Sequence, residues 1–344
     1  MANTSINLIG LDFDTLKNNF KTYLKNNTAF KDYNFDGSNM SVLLDVMSYN
    51  TYLNAFYLNM VASEMFLDSA QLRDSIVSHA KELNYLPRSY SSSRADVDIT
   101  VNANGSTTSV LLAKGTSFTT RVQDTTFTFT TNQNIILTPQ GNNVFKGTNI
   151  TLYEGRYLAE SFVYDTTISN QRFVLSNPTI DISSLTVNII EDSGSETKVY
   201  TRALSLFGIN PTSQVYFLQP AENGQYEIVF GDDVFGRRPK NGSAIIVEYR
   251  TSRGQLPNGA SVFVNDGPID GQTNVIITTV LIASSGNVAE SADSIRYNAP
   301  RSVATQERAV TATDYETLLT TNFPEIQSLS VYGGEDVTPP EYGK

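Results

Sequence analysis

A chain of 344 residues is long enough for two or three domains with real cores, and its 40% hydrophobic and 17% charged content describes a folded protein. With 24 basic against 35 acidic residues the formal net charge is −11, which argues against nucleic acid or an anionic membrane surface as the main partner. No cysteine is present, so disulfides and thiolate metal sites are excluded.

Residues 1–90 read as a helical region. Met1 to Gly10 lack the charged start and apolar run of a signal peptide. A first helix is expected near Asp12–Asn26, with Leu16, Phe20 and Leu24 forming one stripe at i, i+4, i+8. A second begins near Ser38, after an Asp36-Gly37 turn, and runs to about Met60, roughly 35 Å at the standard rise. Met40, Val42, Leu43, Leu44, Val46, Met47, Tyr49, Leu53, Phe56, Tyr57 and Leu58 cover most of its circumference. Its polar strip, Ser41, Asp45, Ser48 and Asn59, spans only roughly 60° of the helical wheel. A helix this apolar needs cover nearly all round, either from the β region of its own chain or from another chain. It is not a membrane span: Asp45, Ser48, Asn50, Asn54 and Asn59 make Val42–Val61 too polar. A third helix is expected from Asp68 or Ser69, with Gln71 as capping-box partner of Asp68 and Leu72, Ile76, Val77, Ala80 and Leu83 as its apolar face. Asn84 suits a left-handed C-terminal position, and Pro87 blocks continuation.

Residues 91–285 are rich in Thr, Ser, Val, Ile and Phe with frequent Gly and Asn, the texture of strands and turns. Val97, Ile99 and Val101 alternate with polar residues, as do Phe127 and Phe129. Tyr226, Ile228 and Phe230 share one strand face, and Ile245, Val247 and Tyr249 another. These two strands are expected to pair as a hairpin across the long Gly231–Ser243 connection. Residues 286–344 return to helical periodicity and close with a strand and a Gly/Pro-rich tail. The fold class is therefore α+β multidomain: an N-terminal helical segment, a central all-β region that is sandwich-like or built of small mixed sheets, and a short C-terminal helix–strand segment.

Chemistry is sparse. Asp32-Tyr33-Asn34-Phe35-Asp36-Gly37 matches the first half of a calcium loop, but Leu43 stands where the bidentate Glu belongs, so the stretch reads as a turn. The single histidine, His79, cannot build a histidine-pair zinc motif, and no nucleophile elbow accompanies it. Asp232-Asp233 are adjacent, so they do not face each other across a cleft as glycoside hydrolysis requires; they read as turn residues. Arg237, Arg238 and Lys240 form the one compact basic cluster and read as a solvated turn or a dock for an acidic surface. The sequons at Asn104, Asn149 and Asn241 matter only in a secretory compartment. No catalytic, cofactor-binding or metal residue is nominated, and the chain is expected not to be an enzyme.

Three stretches together resemble the baseplate J-like family of contractile-tailed phages, and more closely the baseplate wedge subunit of T-even-like and cyanophage-like viruses. The first is the segment around Asn34–Arg88, YNFDGSNMSVLLDVMSYNTYLNAFYLNMVASEMFLDSAQLRDSIVSHAKELNYLPRS. The second is YEIVFGDDVFGRRPKNGSAIIVEYRTSRG, from Tyr226 to Gly254. The third, within Glu290–Gly334, contains IRYNAPRSVATQERAVTATDYETLL. Asn84 and Asp233 replace glycines usual in the family, and both residue types tolerate turn conformations.

The resemblance implies a virion component of the tail baseplate, assembled in the host cytoplasm. It implies a non-enzymatic subunit that links wedges into a ring around the tail hub through helical-bundle and β-domain contacts. Its partners would be other wedge proteins and further copies of itself, with no nucleic acid, membrane insertion, small-molecule substrate or cofactor. Leu43, Val46, Leu53, Phe56 and Tyr57 are the expected partner contacts, and the chain is expected to lead into a further domain after Lys344. The competing reading is a tail-associated carbohydrate- or receptor-binding β protein.

Overall fold

The computed structural model describes residues 12–27, 39–105, 107–191, 194, 196–306, 308–323, 326 and 328–341. The chain divides into two compact units, one ending at Glu82 and one beginning at Leu83. The calcium-like stretch Asp32–Gly37 and the expected cap Ser38 lie outside the described residues.

Among the described residues the first unit holds three helices. Helix α1 (Phe13–Lys25) starts at Asp12, whose carboxylate accepts from the Thr15 N–H at 2.7 Å and the Thr15 hydroxyl at 3.0 Å. Asp14 in its first turn and Lys25 in its last suit the helix dipole. Leu16 is buried, with Phe20 and Leu24 half-buried on the same stripe. Helix α2 (Asn39–Glu64) is 26 residues long and continues one turn past Met60. It packs against α1, with Lys17 paired to Asp45. Helix α3 (Arg73–Glu82) buries Ile76, Val77 and Ala80, while Leu72 stays exposed.

The expected Asp68 capping box does not form, because α3 starts at Arg73. Glu64, the last residue of α2, takes over the corner instead: its carboxylate accepts from the N–H groups of Gln71 at 2.9 Å and Leu72 at 3.3 Å. His79 reaches back to the Glu64 carbonyl at 2.8 Å, so the lone histidine is a structural corner residue.

Among the described residues the second unit is built on two sheets. The first contains β1 (Arg94–Asn102), β2 (Val110–Leu112), β3 (Ser117–Val122), β4 (Thr125–Thr131), β5 (Ile135–Gly141), β6 (Val144–Glu154), β14 (Val264–Asn265) and β15 (Val275–Ser284). Its order is β14-β3-β4-β6-β1-β15, with β5 added to β6 and β2 to β5. Val97, Ile99, Val101, Phe127 and Phe129 all point into its core, as their alternation requires. Residues leading into β14 bond back to β15, through Gly259 N–H to Ala283 C=O at 2.7 Å and Ala283 N–H to Ala260 C=O at 2.8 Å.

The second sheet contains β7 (Arg156–Val163), β8 (Phe173–Leu175), β9 (Ile180–Glu191), β10 (Glu196–Arg202), β11 (Val215–Pro220), β12 (Tyr226–Phe230) and β13 (Ala244–Thr251), in the order β7-β13-β9-β10-β11-β12-β8. Only β10 and β11 pair in parallel, so the sheet is mixed. Its two edge strands close through side chains. Glu160 on β7 accepts from the Ser176 N–H and hydroxyl just past β8, at 3.1 and 2.8 Å, and the Phe162 and Phe173 rings lie 5.5 Å apart.

The expected hairpin of Tyr226–Phe230 with Ile245–Tyr249 is not formed. β12 pairs with β11 and β8, and β13 with β7 and β9. The short Ala221–Gln225 turn brings β11 and β12 together first in sequence, whereas Gly231–Ser243 carries the chain across the sheet.

Gly155 is the crossing point between the sheets. Its φ is +112°, and a Cβ there would sit 2.0 Å from the Thr251 carbonyl oxygen. Around it, Arg250 is buried between the Tyr153 and Tyr157 rings at 4.6 and 4.7 Å. Buried Glu154 accepts from the Ser252 hydroxyl at 2.8 Å, and burial pushes its carboxyl up.

After β15 the chain forms α4 (Ala292–Thr305), capped by Ser291, and α5 (Ala312–Asn322), opened by a Thr311–Asp314 capping box. The strand expected near the end is absent among the described residues: 328–333 carry no ladder bonds, and no neighbouring strand offers them.

Candidate assembly surface

The feature that stands out chemically is the outer face of α2. Its buried residues are Leu44, Ser48, Ala55, Ala62 and Ser63, mostly small or polar. Ser41, Asp45 and Asn59 lie half-buried on the same side. The narrow polar strip thus turns inward, against the expectation for an amphipathic helix. It survives there because its groups are satisfied: the Ser48 hydroxyl donates to the Leu44 carbonyl at 2.6 Å, and Lys17 pairs with Asp45.

The large apolar residues turn outward. Val42, Leu43, Val46, Met47, Tyr49, Phe56, Tyr57, Leu58 and Val61 are all more than half exposed. Of the five nominated contacts, Leu43 (59%), Val46 (62%), Phe56 (54%) and Tyr57 (57%) are open, while Leu53 is half-buried. At 3.6 residues per turn these five fall within about 140°, opposite the buried residues. The Phe56 and Tyr57 rings meet edge to face at 5.9 Å. Asp45 and Glu64 are the only charged residues of α2, and both are occupied on the inner side or at the corner. The outward face is therefore uncharged and mostly apolar, interrupted by exposed Asn50 and Asn54, along a helix about 39 Å long.

The other candidates resolve into structural roles. Asp232 accepts from the N–H groups of Val234 and Phe235, both at 3.1 Å, and Asp233 has a φ of 68°, so the pair builds a turn. The basic cluster is not simply solvated. Arg237 bonds the Glu191 carboxylate at 2.8 Å, Lys240 lies 3.9 Å from it, and Arg238 donates to the Asp232 carbonyl at 3.2 Å. Lys198 completes the ring around Glu191 at 2.7 Å. Burial alone would raise the Glu191 carboxyl, but Lys198 and Arg237 outweigh it and hold the carboxyl below its ordinary value. Sequence reasoning missed Glu191, whose only local hint is a charge at the end of an apolar strand.

It also missed Glu290, whose side chain is fully buried. This carboxylate accepts from the Tyr85 hydroxyl at 3.0 Å, the Arg88 N–H at 3.0 Å, the Ser294 hydroxyl at 2.6 Å and the Asn298 amide at 2.9 Å. Burial, then the Glu290 charge, pushes the Tyr85 phenol up, so it remains a donor.

Among the described residues no group of three His, Cys, Asp or Glu side chains is placed to hold a metal ion, and no helix is long and apolar enough to cross a membrane.

Residues 12–85 match the family model of the gp6-like baseplate wedge protein helical domain, and 311–344 match the C-terminal domain I of baseplate structural protein gp6. Two stretches of this chain thus resemble domains of gp6-like baseplate wedge proteins. The gp6-like helical match contains α1, α2 and α3, so the apolar face belongs to the part of the chain on which the relationship rests. Over 384 aligned positions the chain is 26% identical to baseplate wedge protein gp6 of Enterobacteria phage T4, an alignment spanning 99% of this chain and 56% of that protein. The chain thus spans little more than half the length of this gp6 relative. Among solved structures, the baseplate of the anti-feeding prophage, determined with sixfold symmetry, overlaps 93% of this chain and 66% of its counterpart, with a TM-score of 0.34 and 13% identity.

Proposed function

We propose that this gp6-like chain is a structural wedge subunit that joins neighbouring wedges into a ring around the tail hub, with the outer face of α2 as its docking surface. The observation that carries the reading is the inverted burial of α2, in which small and polar residues are buried while Leu43, Val46, Phe56 and Tyr57 face outward. An uncharged apolar face is suited to an intermolecular helical bundle. Covering 1,000 Å² of it would yield on the order of 25 kcal/mol before association and ordering costs. The partners under this reading are other wedge proteins and further copies of the chain, assembled in the host cytoplasm. Leu53, half-buried, contributes less than the other four.

Co-expression with the adjacent wedge protein tests the reading. Val46→Glu and Phe56→Glu are expected to abolish co-purification while leaving the far-ultraviolet circular dichroism unchanged. A complex that survives both substitutions would remove α2 as the docking surface.

A further inference from the structure

The β region departs from and returns to a single point in the chain. Ser91 and Asn287 exchange both backbone hydrogen bonds, at 3.0 and 3.1 Å. One step outward, the Glu290 N–H donates to the Arg88 carbonyl at 3.0 Å, and the Glu290 carboxylate accepts the Arg88 N–H at 3.0 Å. The incoming stretch 88–91 and the outgoing stretch 287–290 are therefore zipped into a short antiparallel clasp. Everything between, both sheets included, is a closed excursion from that clasp.

The clasp is locked from both sides of the sequence. Tyr85 and Arg88 come from the stretch following the helical unit, whereas Ser294 and Asn298 come from α4, and all converge on Glu290. The Arg88 guanidinium adds a like-directed attraction at 3.9 Å. A carboxylate with no exposed side-chain surface, holding donors some 200 positions apart, resists separation because opening strands a buried charge. Gly286 supports the turn into the clasp: a Cβ there would lie 2.2 Å from the Gly254 carbonyl oxygen.

We propose that this clasp is a mechanical shunt, so that tension between the helical segment before it and the helices after it crosses at Glu290 and bypasses both β sheets. The sheets then act as a side branch, shielded from pulling along the chain until the clasp opens. The inference rests on connectivity and hydrogen bonding, and stands independently of which face docks a partner.

The test is single-molecule pulling of the full chain. The sequence has no cysteine, so handles attach uniquely through Glu82→Cys and Ala304→Cys, both at exposed positions. The first length gain should occur when the clasp opens, after which the 92–286 stretch comes under load and releases on the order of 65 nm when extended. Glu290→Ala should lower the force of that first gain, and Tyr85→Phe should lower it less. Phe129→Ala, which weakens the first sheet's core, should leave it unchanged. A first-gain force insensitive to both clasp substitutions would overturn the proposal. So would a force that falls with Phe129→Ala, because the sheets would then lie in the path of tension.

Discussion

Replacing Glu191 with alanine probes the buried ionic cluster of the second sheet. Its carboxylate is fully buried and lies 2.7 Å from Lys198 and 2.8 Å from Arg237, whose side chains are 13% and 21% exposed. Removing one member of a buried pair costs about 3–5 kcal/mol. The two cations retain partial access to water, which places the loss near the lower end, about 3 kcal/mol. For a unit of this size that lowers the melting midpoint by roughly 6–12 °C. The pH dependence has a definite sign. The carboxyl is held below its ordinary value of 4.5, so its stabilisation is fully present above that pH and is lost as pH falls through the depressed value. The gap between wild type and Glu191→Ala, read by differential scanning calorimetry, should be full at pH 7 and narrow below pH about 4.5. Equal midpoints at pH 7, or a gap that widens in acid, would refute the assignment.

Gly155→Ala should cost several kcal/mol, more than about 3, because the new Cβ meets the Thr251 carbonyl and the backbone sits at positive φ; chemical denaturation of the full chain reads it, and a loss under about 1 kcal/mol would contradict the geometry. Phe129→Ala removes a fully buried ring of the first core and should destabilise that sheet by about 3–5 kcal/mol, with hydrogen exchange accelerating at β1, β4 and β6 ahead of β9 and β13.

Much of the architecture was legible because periodicity reports which face of an element is apolar. Val97, Ile99 and Val101 had to share a buried face, as did Ile245, Val247 and Tyr249, and both expectations hold. Periodicity does not name the neighbour. The apolar faces of β12 and β13 are compatible with many pairings, and loop closure with β11 decided against the hairpin. The same limit applies to α2. Its wheel separated a polar strip from an apolar circumference, but periodicity alone did not say that the side holding Ser48 and Ala55 would be the buried one. Caps were ambiguous where two acids competed: Asp68 had the local spacing, yet Glu64 had the geometry once α2 and α3 turned a corner. Glu191 and Glu290 were invisible for a related reason. A buried carboxylate is explained only by its partners, and Glu290 finds Tyr85 and Arg88 across 205 and 202 positions of sequence.

Hydroxyl-radical footprinting of the chain alone and within an assembled wedge tests the docking claim most directly. Met47, Tyr49, Phe56 and Tyr57 are exposed in the isolated chain and oxidise readily as side-chain types. If the outer face of α2 is the docking surface, their oxidation falls sharply on assembly while that of the exposed loop residue Phe207 does not. Oxidation of α2 that is the same in the free and assembled states would contradict the claim.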